Sequence, residues 1–180
     1  MGYFEEDKKH KKSVGDNTHF SELAEICLEE LMLSSDAYTC MIKLNMHGYK
    51  RLHRCLSKKF HDFYLQIQND SLERTGKSIQ TYGSFDVYTV KNLKEHLEKW
   101  NDKIEEHLKR VGEIIKDIFE EYGYINCTAQ EVQKCLFKNL IKNERALHKF
   151  EDCNWDYDTI YRHDRYLHEK MKEEEKDYMY

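Results

Sequence analysis

The chain has 180 residues, with 34 acidic and 29 basic side chains, a formal charge of −5, and 39% hydrophobic residues. That balance fits one folded soluble domain and excludes a disordered or collagen-like chain. No window holds the ~18–20 uncharged apolar residues that a bilayer span needs. Met1 to Lys12 is a charged lead-in with no hydrophobic signal segment, so the expected location is cytoplasmic.

Zero proline beside only seven glycines favours long helices, the elements those two residues harm most. The basic residues are scattered, forming no stripe for nucleic acid and no membrane-binding face. Cysteines at 27, 40, 55, 127, 135 and 153 include no Cys-x-x-Cys pair, and they read as buried thiols.

Residues 1–16 carry a charge run without apolar period and are expected to form a flexible tail. From there Phe20, Leu23, Ala24, Cys27, Leu28, Leu31, Ser35, Tyr38, Ile42 and Asn45 recur at steps of three and four, which predicts a first helix over 17–46. After Gly48 the stripe resumes with Leu52, Leu56, Phe60, Phe63, Ile67, Ser71, Thr75 and Ile79, a second helix over 49–82 ending before Gly83. Gly76 falls inside this stretch and reads as a site of close packing or a bend.

Ser84 to Val90 is β-branched and aromatic but too short for a sheet, and is expected to be a connector. Leu93, Leu97, Trp100, Ile104, Leu108, Val111, Ile115, Ile118 and Tyr122 form the seam of a third helix over 91–122. Thr128-Ala-Gln-Glu131 reads as a capping box opening a fourth helix over 129–151. Asp158 or Thr159 is expected to cap a charged fifth helix from Ile160 to Lys176, an appendage with a thin apolar side.

The expected fold class is therefore all-α. Residues 17–155 form a four-helix bundle and 156–180 a C-terminal charged helix. A connection of ~8 residues from Gly83 to Val90 reaches only ~26–29 Å, which barely permits a long crossover and easily permits a simple up-down-up-down path.

This pattern resembles the ferritin superfamily. Leu97-Glu98-Lys99 with Asn101 is similar to the third ferritin helix, whose glutamate is a ferroxidase ligand. Asn143-Glu144-Arg145-Ala146-Leu147-His148 is similar to the Glu-Glu-x-x-His region of the fourth helix in bacterial relatives. Leu28-Glu29-Glu30-Leu31 stands where the first-helix ligand glutamate would be. The resemblance covers about residues 19–152 and implies a metal set of Glu30, Asp70, Glu73, Glu98, Glu144 and His148, with iron as the metal.

The second-helix Glu-x-x-His of working ferritins is missing. The positions counted back from Gly83 hold Gln68 and Ser71, and Asp70 with Glu73 is the nearest acidic pair at that spacing. Projected at 100° per residue, Glu30 falls about 100° from its stripe, Glu98 about 120° and Glu144 about 80°, with Asp70 alone near its seam. A degenerate ferroxidase centre is expected. Hemerythrin-type sites need His-x-x-x-Glu and His-x-x-x-His, and neither occurs. Thr75-Gly76-Lys77-Ser78 lacks the upstream glycine and strand of a phosphate-binding loop. Seam residues Ser34 or Ser35, Asn45, Ser71, Asn101 and Asn143 are expected to hydrogen-bond across helices and fix register.

The resemblance implies a ferritin-like subunit contributing to iron storage or binding, or to shell assembly as a homo- or hetero-oligomer, with weak or no Fe(II) oxidation. The alternative is a helical-bundle interaction module, adaptor or effector, that binds a protein partner without metal. Thirteen tyrosines, eight phenylalanines and two tryptophans exceed what one bundle core absorbs, which favours an interface in either case.

Overall fold

The computed structural model describes residues 17–79 and 85–178, with side-chain surroundings as far as Lys176. The expected tail, 1–16, and the expected helix end at Gly83 lie outside them. Among the described residues five helices follow in order: α1 (Thr18–Lys43), α2 (His47–Thr75), α3 (Leu93–Tyr122), α4 (Cys127–Asp152) and α5 (Tyr157–Tyr178). Among the described residues there is no strand, and no helix is long and apolar enough to cross a membrane.

Several helix ends differ from the sequence expectation. The second helix stops at Thr75, because Gly76 adopts φ +69° and its N–H closes the last turn on the Leu72 carbonyl at 3.0 Å. A left-handed residue terminates a helix, and glycine reaches that conformation without steric cost. The fourth helix starts at Cys127, where Asn126 is the cap and its side chain accepts from Ala129 N. Thr128 is therefore not the cap. Its hydroxyl instead donates to Asp70 Oδ2 at 2.8 Å and ties the starts of α4 and the end of α2 together. Asp156, two or three residues earlier than expected, caps α5 by accepting from Thr159 N.

The early end of α2 changes the topology. The connection to α3 spans 76–92, and 17 residues extend to roughly 56–61 Å, ample for the roughly 45 Å length of a 30-residue helix. Contacts of α1 with α3 run in opposite order: His19 meets Glu121, Glu30 meets His107, and Asp36 meets Tyr88 just before α3. The two helices are antiparallel. Since α1 also reverses into α2 over a tight turn, α2 and α3 run parallel and the connection is a crossover along the bundle. It leaves the Asn17 end of α1, where Asn17 Nδ2 donates to the Ser78 carbonyl, and reaches the other end, where the Cys40 thiol lies 3.9 Å from the Tyr88 carbonyl.

The core runs the length of the bundle on Leu23, Ile26, Met41, Phe60, Ile67, Leu97, Trp100, Ile104, Ile118, Leu136 and Phe150, all essentially sealed from solvent. Burying each such side chain stabilises the fold by about 1.5–3 kcal/mol. Asn143 Nδ2 donates to Asn101 Oδ1 at 3.0 Å across α4 and α3, the register-fixing role its seam position implied. Asn45 instead sits in the α1–α2 turn at φ +57°.

The fifth helix is no appendage. Ile160 and Met171 are buried, and Asp164, only 3% exposed, accepts hydrogen bonds from Gly48 N and Tyr49 N at the start of α2. A carboxylate there satisfies backbone donors that the helix cannot pair itself and meets the positive end of its dipole.

Candidate functional site

Two layers of buried polar side chains cross the bundle core. In the first, His107 on α3 sits between two carboxylates of α1. Its Nδ1 lies 2.7 Å from Glu30 Oε1 and its Nε2 lies 2.5 Å from Glu29 Oε2. Both ring nitrogens must donate, so the ring is the imidazolium. Burial opposes that charge, but the hydrogen bonds and charges of Glu30 and Glu29 together raise His107 above its ordinary value. Burial likewise opposes ionisation of Glu29, and His107 and Arg110 outweigh it, leaving Glu29 below the usual carboxylate range. Arg110 Nη1 stands 3.3 Å from Glu29 Oε2 and extends the network to the surface.

The second layer joins α1, the crossover, α2 and α3. His53 and His96 face each other with Nε2 atoms 2.8 Å apart, Ser34 Oγ lies 3.5 Å from His53 Nδ1, and the Tyr88 hydroxyl lies 2.7 Å from His96 Nδ1. One assignment satisfies every atom. Ser34 donates to His53, His53 Nε2–H donates to His96 Nε2, His96 Nδ1–H donates to Tyr88, and Tyr88 donates to the His96 carbonyl at 3.1 Å. Both rings are neutral in it. Burial, then the charge His96 would carry, holds His53 well below its ordinary value, and burial pushes His96 down to about 3. Trp100 stacks on His96 with ring centroids 5.4 Å apart.

The sequence-derived ligand candidates are dispersed. Glu30 is buried at 1% exposure with its Oε2 unpaired. Asp70, half-buried, accepts from Thr128 and from Gln66 Nε2 on the surface of α2. Glu73 is exposed and accepts from Asn69 Nδ2. Glu98, Glu144 and His148 do come together, lining an open groove between α3 and α4 with Lys94, Glu151 and Trp155. Lys94 is held there by Glu151 at 3.7 Å and lies 5.6 Å above the Trp155 ring. Among the described residues, no group of three or more His, Cys, Asp or Glu side chains is arranged to hold a metal ion.

A resident di-iron centre does not fit the core donors. Two irons need bridging carboxylates and terminal imidazoles converging from several helices. Glu30 presents one free oxygen, but its other oxygen is bound to an imidazolium whose charge repels a cation. Counting from the Ser34–His53 contact along antiparallel α1 and α2, the buried α2 side chains level with Glu30 are Leu56 and Phe60, which are carbon only.

Sequence reasoning missed His53, His96, His107 and Tyr88. The signal was present: His96, Trp100, Ile104, His107 and Val111 follow one another at steps of four, four, three and four, so both histidines share the face of a buried tryptophan.

No protein-family model matches the sequence, and no curated protein matches it. Solved structures do. An open-pore ferritin from the hyperthermophilic archaeon Archaeoglobus fulgidus superposes with a TM-score of 0.70 at 12% identity, covering 85% of this chain and 96% of that one. A closed form of the Archaeoglobus fulgidus ferritin engineered by site-directed mutagenesis gives 0.69 at 12% identity, with 85% and 96% covered. A humanized archaeal ferritin gives 0.71 at 13% identity, with 85% and 95% covered. The fold is ferritin-like.

Proposed function

We propose that this chain is a ferritin-fold subunit whose role is structural, assembling with copies of itself or with a related subunit, and that iron reaches it as cargo at surface carboxylates rather than as a pair of ions oxidised in the core. The observation that carries this reading is the Glu29–His107–Glu30 triad, which fills the core beside the first-helix glutamate with a protein cation. A fixed imidazolium there does electrostatically what a metal would do for Glu30, and competes with one. Glu98, Glu144 and His148 are the candidates for weak cation contact, since they share one open groove.

Aerobic Fe(II) titration, followed at the near-ultraviolet ferric band, tests the oxidation half. Wild type, Glu30→Ala, Glu98→Ala and Glu144→Ala are expected to oxidise iron alike, at the protein-free rate. A saturable fast phase in wild type that Glu30→Ala abolishes would overturn the reading. Light scattering in physiological salt tests assembly, and a particle larger than a dimer is the expected result.

A monomer would instead favour an adaptor that docks a protein partner. One observation supports that second reading: Tyr157 and Tyr161 stack with centroids 6.2 Å apart while 68% and 48% exposed on the outer side of α5, with Tyr166 beyond them. Exposed tyrosines of this kind anchor interfaces.

A further inference from the structure

Five of the described lysines lie against a carboxylate. Lys94, Lys99, Lys103, Lys116 and Lys172 each lie within 4 Å of one. Where α2, α4 and α5 meet, four lysines do not. The Asp70–Thr128 hydrogen bond fixes the register of antiparallel α2 and α4. Eleven residues back from Asp70 is Lys59, and eleven on from Thr128 is Asn139, flanked by Lys138 and Lys142. Lys138 and Lys142 are one turn apart and share a face of α4. On α5, Lys170 and Glu174 are also one turn apart, and Glu175 beside them is anchored to Arg51 at 3.0 Å, which fixes how that helix lies on α2.

Lys59, Lys142 and Lys170 are half-buried in this junction and Lys138 is exposed. Burial, and then the charges of Lys138 and Lys170, hold the Lys142 ammonium below its ordinary range. Glu174 pulls the other way, and Lys59 adds to the lowering. Four cations stand here, with Glu174 the carboxylate that acts on Lys142, on a chain of net charge −5.

We propose that Lys59, Lys138, Lys142 and Lys170 form a binding site for a small, multiply charged phosphate anion at the junction of α2, α4 and α5. The attraction grows with ligand charge, so a polyphosphate gains from all four ammonium groups, whereas chloride gains little over bulk screening. Lysine serves as a point charge for phosphate oxygens, which suits a ligand that is anionic on every side. The site stands on α2, α4 and α5, whereas the Glu98 groove lies between α3 and α4.

The test uses the full chain, with sodium tripolyphosphate and inorganic phosphate as probes at constant ionic strength. At a hundredfold excess over its dissociation constant, tripolyphosphate is expected to raise the melting temperature of wild type by roughly 5–10 °C, with orthophosphate giving a smaller shift. Lys142→Gln and the pair Lys138→Gln/Lys170→Gln should weaken tripolyphosphate binding at least tenfold by calorimetry. Lys109→Gln, at an exposed lysine on α3, should bind as wild type does. Without ligand, Lys142→Gln should melt no lower than wild type, since it relieves repulsion. An equal shift from sodium chloride, or undiminished binding in Lys142→Gln, would overturn the proposal.

Discussion

His53 and His96 meet through their Nε2 atoms at 2.8 Å, and both rings are completely buried. Such a contact holds one proton, not two. A second proton would set two N–H groups against each other inside a core where no carboxylate reaches either ring.

The consequence for pH follows from the sign of the shifts. Both histidines titrate lower in the folded chain than in the unfolded one, where the ordinary value is 6.5. The unfolded chain therefore takes up protons first, and the stability these residues contribute is present above pH 6.5 and lost as pH falls toward about 3. The slope approaches about 1.4 kcal/mol per pH unit for each imidazole. Urea unfolding between pH 7 and pH 4.5 should show that decline in wild type and roughly half of it in His96→Gln. Tyr88→Phe, which keeps the pair and loses only the hydroxyl bonds, should be less stable by about 1 kcal/mol at every pH with the wild-type slope. An identical slope in wild type and His96→Gln would refute the neutral pair.

His107 behaves oppositely, because its two carboxylates raise it. A raised histidine contributes stability that is complete below its unfolded value and is lost as pH rises through its folded value, so its window lies on the alkaline side of 6.5. Glu29, lowered by the same network, contributes stability above its unfolded value of 4.5, lost as pH falls through its folded value. The alkaline decline should vanish in His107→Leu. Removing one partner of a buried pair costs about 3–5 kcal/mol because the other charge is left uncompensated, whereas replacing the pair with apolar residues is often neutral. His107→Leu, which strands the buried Glu30 carboxylate, should destabilise by that order, Glu30→Leu by less because Glu29 still pairs the imidazolium, and the double variant by less than His107→Leu. Additive losses in the double-mutant cycle would show that the two residues are not coupled.

Much of this was legible from spacing alone. The five helices, the all-α class and the seam positions of Asn101 and Asn143 follow from apolar periodicity and from the scarcity of helix breakers. The core face of α1 was misread by one position. Leu28, Leu31, Tyr38 and Ile42 made an apparent stripe, but Leu31 and Tyr38 are only half-buried and Ile42 is 47% exposed, while Glu30, Leu33, Ala37 and Met41 face inward. One residue is 100° of rotation, the whole angle by which Glu30 seemed to miss the core. A helix with apolar residues on two faces cannot be oriented by period when the buried face also holds a carboxylate, because the partner that neutralises it, His107, is 77 residues away. The crossover was obscured similarly: Gly76 in a helical pattern reads as tolerated, and only its positive φ shows that it ends α2 and lengthens the connection.

The docking of α5 yields a last expectation. A Cβ added at Gly48 would lie 2.0 Å from the Asp164 carbonyl oxygen and 2.9 Å from His168 N. These are backbone atoms, so no side-chain rotation relieves the clash and α5 must move as a unit. Moving it withdraws the Asp164 carboxylate from Gly48 N and Tyr49 N. Gly48→Ala should therefore cost about 1–3 kcal/mol from overpacking, to which the lost hydrogen bonds add. Asp164→Asn keeps the shape and removes the charge from the helix start, and should cost about 1 kcal/mol. Limited tryptic digestion reads the geometry directly, because Arg162 and Arg165 lie on the exposed side of α5 while Asp164 between them faces α2. Cleavage at those arginines should be several-fold faster in Gly48→Ala than in wild type, with Asp164→Asn between the two. Equal cleavage rates in all three would mean that Ile160 and Met171 hold α5 in place and that the Gly48 contact is incidental.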